Sequence, residues 1–181
     1  MLLLAWNIWQ GGGSRLARIA DALARKDADI LVLSEYRGGE AAMRLLAALD
    51  SLGYRHVTKL APPPNRSGVL IASRFTFYEH GAIGNGLPEP YRMVSAEFAS
   101  FRLSGVYMPN LLAKVPYWEA LIAALEPESS GHTLAIGDFN TCRPYLDESG
   151  AIDPTAYYRD RIERIGLLGV RRRAFRTIRS K

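Results

Sequence analysis

Two carboxylates and two carboxamides stand at the ends of apolar runs in this sequence. The segment His132 to Asn140, HTLAIGDFN, contains a short apolar run, Leu134, Ala135 and Ile136. It reads as a strand buried on both faces, and it stops at Gly137-Asp138-Phe139-Asn140. In extended backbone alternate side chains share a face, so Asp138 and Asn140 are expected to point together beyond the strand's carboxyl end. Far upstream, Asn7 follows LLLAW and Glu35 follows ILVLS. Asn7, Glu35, Asp138 and Asn140 offer hard oxygen ligands and no soft ones, a set suited to magnesium or manganese rather than zinc. Beside a phosphate ester, such an ion neutralises developing charge and holds the leaving oxygen. Each residue also has an ordinary reading: an Asx-type turn for GDFN, an exposed loop position for Glu35, a turn residue for Asn7. Their joint occurrence at strand ends favours the site.

The elements that must position these groups follow from periodicity. Residues Leu2 to Trp6 read as a strand. Gly11 to Gly13 break it, and Ser14 is expected to cap a helix carrying Leu16, Ile19, Ala20 and Leu23 at helical spacing. Ile30 to Ser34 is a second strand. This β-α-β order predicts parallel neighbours, with Asn7 and Glu35 emerging on one edge, where ligands of open α/β sheets gather. A second helix is expected from about Glu40 to Leu52, with Met43, Leu46 and Leu49 inward and a stop at Gly53. From Tyr54 the texture becomes an antiparallel run of short strands, YRHVTKL, GVLIASR, FTFYEHG, YRMVSAEF and FRLSGVYM, ended by Pro109-Asn110. A helix with Pro116 in its first turn, through Trp118, Leu121, Ile122 and Leu125, leads into HTLAIGDFN. Thr155 is expected to cap a last helix through Ile162 and Ile165. The pattern predicts an α/β fold with two packed sheets and outer helices. Asn7, Glu35, Tyr107, Asn110, Asp138 and Asn140 all fall at strand ends.

Composition bounds the partners. A chain of 181 residues with 48% hydrophobic content suits one well-buried core. The single cysteine, Cys142, excludes an internal disulfide and fits a reducing compartment, so the cytoplasm is the expected location. No stretch approaches the roughly 18 apolar residues of a membrane span. The net charge of +5 is concentrated at one end: residues 169–181 hold six cations and no acid. Without those six, 17 of the 23 basic residues remain against 18 acids, so the body is near neutral. The expected organisation is a domain at 1–168 and a basic tail at 169–181, which could contact phosphates or remain solvated.

In order and spacing, WNIWQGG (Trp6 to Gly12), LSEYR (Leu33 to Arg37), SGVLIASR (Ser67 to Arg74), VYMPN (Val106 to Asn110) and IGDFN (Ile136 to Asn140) resemble the endonuclease/exonuclease/phosphatase family, which includes exonuclease-III-like and deoxyribonuclease-I-like enzymes. The resemblance spans about residues 2 to 168. It implies a four-layer α/β sandwich of two mixed sheets flanked by helices, and magnesium- or manganese-dependent hydrolysis of phosphodiesters or phosphomonoesters. By it, Asn7 and Glu35 match the amino-terminal metal-site positions, Glu35 being the principal ligand. Asp138 matches the aspartate that orients or deprotonates the attacking water, and Asn140 its partner. Tyr107 and Asn110 match the YxPN segment that faces the scissile phosphate.

The sequence departs from the family pattern at its end. Members typically add further strands, another aspartate and an Asp-His dipeptide, whereas His56, His80 and His132 all lack a preceding aspartate. One sheet is therefore expected to lack its last strands, leaving an aggregation-prone or oligomeric protein with weak activity at most. Three functions follow: a metal-dependent phosphoesterase with nuclease-like chemistry on phosphodiester or phosphomonoester bonds, a silent remnant that binds phosphate or nucleic acid, or a phosphatase on lipid or small phosphorylated substrates.

Overall fold

The computed structural model describes residues 1–125, 132–141 and 154–164. Its elements are β1 (Leu3–Asn7), α1 (Leu16–Lys26), β2 (Ile30–Arg37), α2 (Glu40–Ser51), β3 (His56–Val57), β4 (Ser67–Ser73), β5 (Tyr78–Ala82), β6 (Met93–Glu97), β7 (Arg102–Tyr107), α3 (Val115–Leu125), β8 (Thr133–Asp138) and α4 (Tyr157–Arg164). Two four-stranded sheets result, ordered β1-β2-β4-β3 and β5-β6-β7-β8. Both are mixed, because β1 with β2 and β7 with β8 are parallel while the other pairs are antiparallel.

The sheets lie face to face because β2 and β4 carry unbroken apolar runs, Ile30 to Leu33 and Val69 to Ala72, buried on both faces. Ile30, Val32, Val69 and Ile71 point one way and pack with Val94, Ala96, Leu103 and Ile136 of the second sheet. Leu31, Leu33, Leu70 and Ala72 point the other way, onto Ile19 and Leu23 of α1 and Leu45 and Leu49 of α2. On the far side Met93 and Val106 meet Tyr117, Trp118, Leu121 and Ile122 of α3, and Tyr158 of α4. Four layers follow, helix–sheet–sheet–helix. Gly105 permits the close approach in the middle, since a Cβ there would lie 3.0 Å from Ile71 Cγ1.

Four local expectations are corrected. Ser14 caps nothing, because residues 13–15 form a 3-10 turn and Arg15 is the residue before α1. In α2 the inward stripe is Ala42, Leu45 and Leu49, and Met43 is 65% exposed. The stripe through Met43 and Leu46 would have continued to Asp50, whose burial unpaired is costly. β8 is not buried on both faces: Ile136 is buried but Leu134 and Ala135 only partly, since β8 is the outer strand of its sheet among the described residues. Glu35 lies inside β2, at a bulge between Ser34 and Tyr36, not beyond the strand. The antiparallel run also divides, with β3 and β4 in one sheet and β5 to β7 in the other. Thr155 is fully buried, and its carbonyl accepts the Tyr158 amide at 3.1 Å ahead of α4. The Ile162 side chain, Ile165, Cys142 and the basic tail lie outside the described residues.

The α2 correction has a measurable consequence. Leu45→Ala is expected to cost about 2–5 kcal/mol of stability, whereas Met43→Gln is expected to stay within about 0.5 kcal/mol. Denaturant midpoints of the two variants check this.

Candidate active site

The parallel pairs β1–β2 and β7–β8 bring four strand ends to one rim of the sandwich. In register, Asn7 lies opposite Ser34 and Tyr107 opposite Asp138. Across the two sheets, Asn7 Nδ2 donates to Glu35 Oε1 at 2.9 Å and to Asp138 Oδ2 at 2.8 Å. One amide nitrogen therefore holds two carboxylates from strands 131 and 28 residues away along the chain. Their bonded oxygens lie no farther apart than the two bonds together allow.

Each member is fixed by further bonds. Asn7 Oδ1 accepts the Trp9 amide at 2.9 Å, and Glu35 Oε2 accepts the Gln10 amide at 2.8 Å. Glu35 itself has a φ of 58°, and its carbonyl accepts Gly11 N–H at 2.7 Å. Positive φ at a non-glycine residue costs roughly 1–2 kcal/mol, and such strain gathers at functional positions. Here the bulge turns the carboxylate of an otherwise apolar strand toward the rim. Asp138 Oδ1 accepts the Asn140 amide at 3.0 Å, closing an Asx-type turn. The turn reading and the site reading of GDFN thus describe the same residues.

Not every expected residue joins the cluster. Asn140 turns its Nδ2 onto the Met108 carbonyl at 2.5 Å, tying the two segments that carry Tyr107 and Asp138. Asn110 is exposed and makes no capping bond at the 3-10 turn it precedes. Tyr107 is half-buried and stands in register with Asp138. Burial raises its hydroxyl's pKa, the Glu35 and Asp138 charges raise it further, and Arg92 opposes them. It therefore remains a neutral donor through neutral pH. No histidine touches the cluster: His80 Nε2 bonds Glu97 Oε2 at 2.6 Å, His56 stands edge-on to Phe77, and His132 precedes β8.

Two residues were not singled out from sequence. Arg92, directly before β6, places its guanidinium carbon 4.6 Å from the Tyr107 ring centroid while its Nε donates to Glu89 Oε2 at 2.6 Å. Lys114, only 1% exposed, donates to the Asn140 carbonyl and to Thr141 Oγ1 at 3.2 Å, holding the GDFN loop from inside. Arg92 carried a signal in its place within YRMVSAEF, directly before the apolar residues of the strand. A buried lysine within LLAKVPYW did not, since lysines are rarely buried.

Glu89 supports this arrangement from behind. Burial works against its charge, but hydrogen bonds from Arg92 and Tyr91 and the nearby Arg66 hold its carboxyl below the ordinary range. A depressed folded-state pKa gives stability that is present above the ordinary value near 4.3 and is lost as pH falls through the lower folded value. Glu89→Gln is accordingly expected to flatten the fall in stability below about pH 5. Thermal melts of both proteins across that range test it.

Comparison with known proteins identifies the family. Residues 4–165 match the profile of the Endonuclease/Exonuclease/phosphatase family. The chain belongs to that family. A search of curated protein sequences finds no match. Three solved structures share the fold. An AP endonuclease from Archaeoglobus fulgidus is 20% identical with a TM-score of 0.69, over 93% of this chain and 71% of that one. The 3′ phosphatase NExo from Neisseria, solved bound to product DNA hairpin, is 21% identical with a TM-score of 0.75, over 91% and 71%. An endonuclease/exonuclease/phosphatase from Beutenbergia cavernae is 16% identical with a TM-score of 0.63, over 90% and 53%.

The family implies a divalent metal, and the donor set fits one. Among the described residues no three His, Cys, Asp or Glu side chains converge. Glu35 and Asp138 nevertheless supply two carboxylates held to a common nitrogen, and magnesium, which keeps several waters, needs only one or two. Asn7 in this conformation directs its nitrogen to the pair and its oxygen to Trp9, so it orients the carboxylates. No helix among the described residues is long and apolar enough to cross a membrane.

Proposed function

We propose that this chain is a metal-dependent phosphoesterase of the exonuclease-III-like branch, hydrolysing phosphodiester or phosphomonoester bonds, with DNA the favoured substrate. The observation that carries it is the Asn7 amide shared between Glu35 of one sheet and Asp138 of the other. That geometry concentrates two negative charges where a hard cation is attracted. A bound magnesium or manganese ion would supply charge neutralisation at the phosphate. Glu35 and Asp138 would hold the ion, with Asn7 keeping their oxygens aligned.

Asp138 has a second part, taking or orienting the proton of the attacking water, with the Asn140 amide fixing its other oxygen. The Tyr107 hydroxyl donates to a phosphate oxygen as the bond breaks, and Asn110, exposed on the same rim, is free to contact the ester. The YMPN segment supports the exonuclease-III-like branch. An AP endonuclease and a 3′ phosphatase among the structural relatives agree with phosphate-ester chemistry on DNA. With no histidine at the cluster, turnover by this chain is expected to be weak.

A binding experiment tests the metal directly. Manganese titration, followed by calorimetry or paramagnetic broadening, is expected to show a site weakened about tenfold or more by Glu35→Gln, because the amide loses the charge attraction. Equal binding by both proteins would remove Glu35 from the site.

A further inference from the structure

Trp9 is a large aromatic side chain left 56% exposed two residues beyond Asn7, at most about 7 Å of chain from the carboxylate cluster. Its backbone is held on several sides. The amide donates to Asn7 Oδ1 at 2.9 Å, and the carbonyl accepts Arg15 Nη2 at 2.6 Å and Gly12 N–H at 3.1 Å. The next amide, of Gln10, is on Glu35. Residues 9 to 13 all have positive φ, and the first two, Trp9 at 51° and Gln10 at 53°, are not glycine. The chain thus keeps a strained loop that fixes an indole at the site rim.

Among the described residues one cation lies over the ring. The Arg15 guanidinium carbon lies 5.3 Å from its centroid, and no aromatic ring among the described residues pairs with it. Resting on the phosphoesterase reading above, we infer that Trp9 and Arg15 form a stacking subsite for a nucleobase attached to the phosphate being cleaved. The indole offers a π-face to the base, and Arg15 backs it with positive charge suited to a polyanionic strand. The loop composition separates this from a lipid anchor. Besides Trp9 the segment Gln10 to Arg15 holds no apolar side chain larger than glycine, whereas an indole that inserts among lipids is expected beside other apolar groups.

The test compares oligothymidylate with a base-free tetrahydrofuran oligomer of equal length, by indole fluorescence quenching and anisotropy. Binding is measured with magnesium present in the Asp138→Asn background, with and without Trp9→Ala or Trp9→Phe, and the strands are analysed for cleavage. With Trp9 intact, the base-bearing strand is expected to bind on the order of tenfold more tightly and to quench the indole. Trp9→Ala is expected to erase that preference and Trp9→Phe to retain part of it. Equal binding of the two strands, a preference that survives Trp9→Ala, or quenching by anionic phospholipid vesicles but not by oligothymidylate would each overturn the subsite. Wild-type turnover is scored separately: a base preference without cleavage supports the subsite while removing the phosphoesterase reading, and cleavage without a base preference does the reverse.

Discussion

Asp138→Asn is expected to lower magnesium-dependent phosphodiester hydrolysis by on the order of 10² to 10⁴-fold while leaving the fold intact. Both oxygens of this carboxylate are committed: Oδ2 accepts from Asn7 at 2.8 Å and Oδ1 from the Asn140 amide at 3.0 Å. An asparagine is the same shape and keeps one acceptor, so the turn closes again at a cost of about 1 kcal/mol for the donor left unmatched. What it cannot do is take a proton or offset a cation's charge, and general-base help of this kind is worth that factor in rate. The fall should appear in kcat at saturating magnesium, with the near-ultraviolet dichroism unchanged. A loss below about threefold would take Asp138 out of the chemistry.

A large stability effect is expected one residue earlier. Gly137 has a φ of 145°, and a Cβ there would stand 1.9 Å from the Val106 carbonyl oxygen and 2.8 Å from its carbon. Those are backbone atoms of the parallel neighbour β7, in register with Gly137 itself, so no side chain can move aside. Gly137→Ala must either break the β7–β8 ladder at its last pairs or displace Asp138 from Asn7. Backbone strain and overpacking together are expected to cost about 3 kcal/mol, lowering the melting temperature by roughly 10 °C. Because Tyr107 pairs with Asp138 immediately beyond, metal affinity should fall alongside stability. A variant melting within about 2 °C of the parent would show that the glycine is not required.

The sequence made the layers legible because the layers are a matter of apolar pattern. In β2 and β4 unbroken apolar runs announce burial on both faces, and the β-α-β spacing makes β1 and β2 parallel. Asn7, Glu35 and Asp138 could be selected because each follows such a run, and the structure joins all three by hydrogen bonds. What was hidden depends on backbone conformation or long-range packing. The bulge at Glu35 and the left-handed run from Trp9 to Gly13 have no periodic signature. The α2 face was misread because Leu45 and Leu46 are adjacent, so two stripes compete, and only packing against the sheet selects Leu45. The partial exposure of Leu134 and Ala135 reflects a strand's place in its sheet, which an apolar triplet does not encode. The inward turn of Asn140 is likewise decided by a tertiary partner, the Met108 carbonyl.

The central claim is that two carboxylates joined through Asn7 act with a divalent metal on a phosphate ester. The most direct measurement is release of product from an abasic-site duplex, single-stranded DNA and a generic phosphodiester, with magnesium and with chelator, by the parent protein and by Glu35→Gln and Asp138→Asn. The expected result is slow turnover of at least one substrate that stops with chelator and falls at least 10²-fold in both variants. Turnover that persists in chelator, or no product from any substrate while metal is bound, would contradict it.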